Sequence, residues 1–489
     1  MRTRIDTRTG WRRSGPSFFL PCLFFVSFVC FVVCPAAAAE PWATYRGNAE
    51  RTGCTDGKAG PAAPKVLWAL PSQEHFIAAP VPSGDRLFVS GLGAFNVATF
   101  RALATDPKAA ERTAWSKTTP SLKLPTVSSP AVVDGKLVFG DGMHQTDGAT
   151  LHCLRADNGL PLWQLAVPGT LVHLEGSPTV EKGHVYLGGG AAGVLCVDMN
   201  RVTLDGKEMD LAAIQKVLDA KWAELLKKYE EDKKKDPDFA VKPSQDQLPK
   251  PSPVKLWEQG KDKWHVDAPV AVAGDRVLAA SAYLDHEKVG DRALYALDAK
   301  TGEVKWRTAL ALNPWGGPTV AGDTVIVGGS NIRFDPKDLA QAKGEVAAYN
   351  LADGKVKWRK ELKGGVLGCA AIADGLAVVT ATDGKVRAYD VKSGELRWHY
   401  DAKAPFFAPA AVAGGVVYAG DLKGVLHAIG LADGKEKWAL DLGKDAAVSA
   451  AGMFYGGPVV HGGRVYAATC NLEGPHAGKA TAVVCVGEK

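Results

Sequence analysis

The sequence predicts an all-β fold: an eight-bladed β-propeller of four-stranded blades, closed by an N-terminal strand, with one helical insertion in blade 3. Three observations lead there. Gly-x-x-x-Trp recurs at Gly159–Trp163, Gly302–Trp306, Gly354–Trp358, Gly394–Trp398 and Gly434–Trp438, each time behind a short apolar run such as "VRAYDVK" or "LHAIGLA". Further upstream, two β-rich runs meet at a two-residue turn, as in "AVVDGKLVFG" and "AVAGGVVYAG", and such Asp-Gly or Gly-Gly pairs are hairpin signals. Four strands (A to D) in a unit of about 40–50 residues describe a propeller blade. The third observation is that the two ends of the chain complement each other. "PKVLWALP" is an outer strand D without A, B or C, whereas the last unit, "GGPVVHGGRVYAATC…ATAVVCVGEK", has A, B and C but no D. Joining them closes the ring and leaves no free edge.

Residues 1–39 read as a signal peptide. Arg2, Arg4, Arg8, Arg12 and Arg13 precede the apolar "SFFLPCLFFVSFVCFVVC", and an Ala-x-Ala exit places cleavage after Ala39. The competing readings are a retained membrane anchor, since the apolar run is about long enough to span, and lipid attachment at Cys34, against which Val33 is bulky. The expected destination is the periplasm or the extracellular space, with no membrane span after removal of the leader. The leader holds five of the 58 Lys and Arg and one of the 53 Asp and Glu, which leaves 53 against 52. A near-neutral surface gives no reason to expect nucleic acid or anionic lipid as partner. Nothing in the sequence calls for an oligomer, and a monomer is expected.

Residues 40–63 form a lead-in, and 64–489 the propeller. Eight of the 13 Trp fit strand D: Trp68, Trp115, Trp163, Trp257, Trp306, Trp358, Trp398 and Trp438. Alignment of the units sets Cys153, Cys196 and Cys485 at the small strand-C position held elsewhere by Ala296, Ala348, Ala388 and Ala428. There Cys serves as a small buried apolar residue, and mostly free thiols are expected. Between strands C and D of blade 3 lies the insertion, 206–253. Leu211, Ile214, Leu218, Trp222, Leu225 and Tyr229 mark one face of an amphipathic helix, followed by the Pro-rich "KPSQDQLPKPSP". Its stripe packs on the propeller's own flank or binds a partner.

The units resemble the pyrroloquinoline-quinone (PQQ) repeat, whose "A-x-D-x-x-T-G-E-x-x-W" form stands here as "ALDAKTGEVKW", 296–306. The resemblance covers nearly all of the chain after the leader. It implies that the Trp packs between neighbouring blades, and "WATYRGNAERTG", 42–53, is similar to the lead-in of exported members. The family includes quinone-dependent dehydrogenases and binding proteins, among them the lipoprotein of the outer-membrane β-barrel assembly machine, so the fold does not choose a function.

The long connections are D–A and B–C, including "PGTLVHLEGSP", "QGKDKWHVDAP", "SAYLDHEKVGDRA" and "SNIRFDPKDLAQAKGE", and their face is where function is expected. Comparing the inner strands at their shared Pro places Glu175 and Asp267, on blades 3 and 4, as the only charges in the rings around the channel mouth. His173 and His265 lie just upstream, and Trp315, Phe406, Phe407 and Tyr455 face them. Such a group holds a cation or a polar ligand, or does acid–base work; the bland alternative is bonding to loop backbone or nearby Lys. The metal, if any, is not specified. The dehydrogenases of the resembling family use a calcium-bound quinone, with a carboxylate from a G-x-E-x-G-x-R-G loop. The nearest stretch here, "GGGAAG" at 188–193, has Ala in place of the acid, and no vicinal Cys pair or CxxCH exists. The favoured expectation is a binding scaffold for an envelope protein or small polar ligand, without cofactor or catalytic residue. The alternative is an alcohol- or sugar-oxidising oxidoreductase using PQQ with calcium.

Overall fold

The structure, a computed structural model, describes residues 44–53, 57–144 and 146–489. The segment expected to be a signal peptide, 1–39, and Cys54 lie outside them. Eight antiparallel sheets follow one another along the chain. The inner A strands of most blades span only three residues, as at Val81–Ser83 and Ala411–Ala413, which is what converging strands around a narrow axis allow. The A–B turns are minimal. At Asp134-Gly135 both central residues have positive φ (48° and 72°), the geometry that matches the twist of the flanking strands.

Ring closure is made by Pro64–Ser72, which pairs antiparallel with Thr481–Glu488 and sets Trp68 opposite Cys485. The same cross-strand pair recurs around the ring. Trp115 faces Ala102, Trp163 faces Cys153, Trp257 faces Cys196 and Trp398 faces Ala388. A small residue on strand C leaves room for the indole on strand D.

Each indole then reaches the next blade. Trp115 Nε1 donates to Ala156 O (3.1 Å), Trp163 to Met199 O (3.0 Å), Trp306 to Leu351 O (2.9 Å) and Trp398 to Leu431 O (2.7 Å). Trp438 donates to Pro61 O (2.8 Å), so the lead-in stands at the seam where blade 8 begins. The glycine four residues before each later Trp belongs to the same contact. A Cβ at Gly434 would lie 2.8 Å from the Trp398 ring, and one at Gly354 2.5 Å from Trp306. Gly-x-x-x-Trp is therefore a two-sided clamp, in which the Gly receives one blade's indole and the Trp reaches for the next.

Among the described residues, Cys153, Cys196, Cys369, Cys470 and Cys485 are free and buried. In blade 3, strand C runs on through Leu204 and forms a small hairpin with Lys207–Asp210. The helix Leu211–Lys235 follows, its N-terminus capped by Asp210 Oδ1 accepting from Ala213 N (2.7 Å). Leu211, Ile214 and Leu218 are buried with Trp163, Met199 and Val202, and Trp222 and Leu225 pack at the margin. The apolar stripe is thus covered by the propeller's own flank. No described helix is long and apolar enough to cross a membrane.

The lead-in does more than precede the propeller. Residues 44–53 cross the inner strands: Val272 N donates to Ala49 O, Val320 N to Glu50 O, and Val412 N to Gly53 O. Arg51, fully buried, donates to Val270 O, Ser177 O and Tyr45 O. Arg46, also buried, lies near Ala370 O (3.4 Å). Carbonyls at the crowded axis have no strand partner, and two guanidinium groups offer them donors. Burial pushes Arg51 down to about 10.

Candidate functional site: the channel mouth

On the D–A and B–C face, a cavity of about 330 Å³ opens at the axis. Ala78, Ala79, Ser129, Ser177, Gly316 and Gly456, small residues just before the inner strands, form its throat. Tyr45 of the lead-in lies at its base. The channel therefore ends in a cup.

One wall of the cup is acidic and imidazole-rich. The D–A connection entering blade 3 carries His173 and Glu175, and the one entering blade 4 carries His265 and Asp267. The B–C loop of blade 3 ties the two connections together: Gly190 N and Val266 N exchange hydrogen bonds with each other's carbonyls (both 3.0 Å), and Ala191 N donates to Leu171 O (2.9 Å). Close approach is possible because Gly190 lacks a side chain: its Cβ would lie 3.0 Å from His173 Nε2. His173 and His265 are fully buried behind the wall, while Glu175 and Asp267 reach the cavity. His173 Nδ1 is 3.4 Å from Glu175 Oε1, and its Nε2 is 3.4 Å from Asp267 Oδ1. His265 Nε2 stands 2.9 Å from the same Asp267 Oδ1, yet the pair is not aligned as a hydrogen bond. Both ring nitrogens of His173 and of His265 lack a hydrogen-bond partner among the described residues.

The D–A connections place these four residues, but the B–C loop of blade 2 adds a fifth that strand comparison misses. His144 N donates to Glu175 Oε1, and the His144 ring lies 5.5 Å from that of His173 and 5.9 Å from that of His265. One ligating atom from each of His144, His173, His265 and Asp267 falls within 4.8 Å of every other. The short "DGMHQTDGA" loop gave no sign by length; its His was the available signal. Arg333 and Phe334, from the B–C loop of blade 5, were also missed, although that loop stood out by its length. Arg333 Nη1 is 3.2 Å from His144 Nε2, and the guanidinium lies over Trp315, 5.4 Å from its centroid.

The electrostatics follow from burial. Glu175 is pushed up to about 8, by burial first and by Asp267 next, against the His144 amide and Arg333. Burial opposes ionisation of Asp267 too, but His173 and His265 hold it below the usual carboxylate range. His173 falls to about 4, chiefly because burial disfavours the imidazolium.

The opposite wall is aromatic. Trp315, Phe334, Phe407 and Tyr455 line it; Phe407 and Tyr455 meet edge to face at 5.3 Å, and Tyr455 Oη donates to Phe334 O (3.2 Å). Phe406 is not there. It packs between blades 6 and 7 with Ala388, Trp398 and Ile429. Successive residues of an extended chain point to opposite sides; with Phe407 turned to the axis, Phe406 must face the seam.

The sequence profile described as "Outer membrane protein assembly factor BamB" matches residues 59–218, 250–342 and 337–474. No curated protein sequence matches the chain. Among solved structures, BamB from Moraxella catarrhalis is similar at 14% identity and a TM-score of 0.55, covering 86% of this chain and 97% of that one. A europium-containing methanol dehydrogenase is similar at 14% identity and a TM-score of 0.60, covering 91% and 98%. The quinohemoprotein alcohol dehydrogenase ADHIIG from Pseudomonas putida HK5 is similar at 12% identity and a TM-score of 0.58, covering 92% and 80%. At these identities the likeness is one of fold, and it spans binding protein and enzyme alike. With most of its length under the family profile, the chain belongs to the PQQ-repeat propeller family described by outer membrane protein assembly factor BamB.

Proposed function

We propose that the chain is an exported binding propeller whose channel mouth takes a small polar ligand. The observation that carries this is the cup. Its volume, about 330 Å³, is at the small-molecule end of ligand sites, and the lead-in closes it from behind. One wall offers carboxylates and imidazoles, the other aromatic faces, and Arg333 is the only Arg or Lys among the described residues that line it. A ligand with one anionic group and an apolar or ring-shaped body matches that division. An envelope protein as partner, which the family resemblance suggests, would dock on the surrounding loops.

The alternative is a PQQ- and calcium-dependent oxidoreductase. The residues present do not fit that pair. Calcium takes six to eight oxygen ligands, whereas the convergent donors here are three imidazoles and one carboxylate. A tricarboxylate quinone would also meet Glu175, Asp267 and Glu473 at the mouth. No step is assigned to it.

Isothermal titration of the metal-free mature chain with amino acids, small carboxylates and sugars tests the reading. At least one should bind, and Arg333→Ala should weaken it at least about tenfold, the order expected for a lost charge-assisted bond. Binding by none of them, or binding that R333A leaves intact, overturns it. Stoichiometric binding of PQQ with calcium, with dye reduction on alcohols or sugars, would favour the enzyme instead.

A further inference from the structure

We infer that His173, His265, Asp267 and His144 form a binding site for one divalent transition-metal ion of the zinc class, at the base of the acidic wall.

The geometry is that of a nearly assembled site. Ligands around tetrahedral zinc, with Zn–N near 2.0–2.1 Å, stand about 3.3 Å from one another. His173 Nε2 and His265 Nε2 lie 3.4 and 2.9 Å from Asp267 Oδ1, and the whole four-atom set lies within 4.8 Å. Small side-chain movements close it. His144 enters from a loop and is partly exposed, so it can swing, with Arg333 at its Nε2 as the group it must leave if that nitrogen ligates.

The polar atoms support the same conclusion. Among the described residues, two fully buried imidazoles have neither nitrogen hydrogen-bonded, and Asp267 Oδ1 also lacks a hydrogen-bond partner. Leaving a buried polar atom unsatisfied carries its full desolvation cost. A cation at their convergence would satisfy the inward-facing nitrogens and the carboxylate together. Glu175 completes the arrangement. It stands 3.4 Å from His173 Nδ1 and accepts from the His144 amide. A carboxylate behind a ligating histidine fixes the ring and strengthens it as a donor. Local charge agrees: Glu287 Oε1 lies 3.5 Å and Arg333 Nη1 3.2 Å from His144 Nε2, so an acid already offsets the one nearby Arg.

Donor type selects the metal. Imidazole suits zinc, copper, nickel and iron, whereas calcium and magnesium want oxygen. Asp267 and Glu175 open onto the cup, so the site stands directly against whatever the cup holds.

The test is titration of the chelator-treated mature chain with zinc chloride and, separately, calcium chloride, with elemental analysis of the dialysed product. One equivalent of zinc per chain is expected, with calcium at least about a thousandfold weaker. Asp267→Asn and His144→Ala, neither of which empties the core, should each weaken zinc at least about a hundredfold. Glu175→Gln should weaken it about 10–100-fold. Circular dichroism reports whether each variant is folded. Cobalt(II) in place of zinc should give the visible bands of a nitrogen-rich site, altered in H144A. Absence of zinc binding, calcium binding as tight as zinc, or zinc binding that survives both D267N and H144A overturns the inference. The titration contains no organic ligand, so its failure leaves the cup reading standing, and the reverse also holds.

Discussion

Gly394 lies against the indole of Trp358: a Cβ at Gly394 would stand 2.5 Å from Trp358 Cδ2. The same glycine adopts φ +69°. Gly394→Ala therefore meets two penalties at once. The left-handed backbone costs roughly 1–2 kcal/mol, and overfilling a packed seam about 1–3 kcal/mol more. Gly375, in the same blade, has φ +73° but nothing within 4 Å of its Cβ position. Urea denaturation should show G394A destabilised by about 2–5 kcal/mol and G375A by about 1–2 kcal/mol. Equal losses would mean that the indole contact contributes nothing beyond backbone strain.

Ring closure rests on a strand far away in sequence. Trp68 is buried against Tyr466, their rings 6.3 Å apart, and Pro64–Ser72 covers the outer edge of the last blade. Trp68→Ala should cost about 3–5 kcal/mol, as large aromatic truncations in a core do. Removal of residues 40–72 goes further, since it bares strand Thr481–Glu488 as an edge and also takes away Arg51. Gel filtration should show association of that truncated chain, because unpaired edges seek other strands. A truncated chain that remains monomeric and melts like the full one would contradict the closure.

The blades were legible in the sequence because their rule is local and repeats. A hairpin turn, a small strand-C residue and a Trp four residues after a Gly are all set within one unit, and the orphan strand at each end made the circular closure readable. The cup was legible only in part. Glu175 and Asp267 lie on the D–A connections just before the inner strands, where a shared Pro gives the register. His144 and Arg333 come from loops of blades 2 and 5, and no local pattern says that these loops lean over the same axis. Phe406 shows the limit of counting along a strand, since one residue decides between mouth and seam. The lead-in was read as a lead-in alone. Beyond near neighbours such as Tyr45, its two arginines find partners in carbonyls more than a hundred residues away, at Ser177, Val270 and Ala370.

The inserted helix should behave as part of the core. Ile214 is fully buried beside Trp163 and Val202, whereas Glu224 and Lys228 on the outer side are exposed. Ile214→Ala should therefore destabilise the protein by about 2–5 kcal/mol, while Lys228→Ala should stay within about 0.5 kcal/mol. Thermal melts separate the two. If I214A were as neutral as K228A, the helix would be an appendage whose apolar stripe awaits another partner.

Lys117 gives the pH dependence. It ends the outer strand of blade 1 and is buried in a recess shared with Asp141, His152, Lys123, Asp246 and Lys250. Burial lowers it to about 8, because the ammonium loses its hydration. The unfolded chain keeps the ordinary lysine value near 10.5. Between these two values the unfolded state binds a proton that the folded state has released, so stability rises with pH across this window. Below pH 8 both states are protonated, and the folded state bears the full penalty of a buried charge. The difference corresponds to roughly 3 kcal/mol, fully relieved only above the unfolded value. Lys117→Met should raise stability at pH 7 by about that amount and flatten the slope between pH 8 and 10. Denaturation midpoints of the two proteins at pH 7, 8, 9 and 10 check both the sign and the window. A wild-type slope that persists in K117M would assign it to another group.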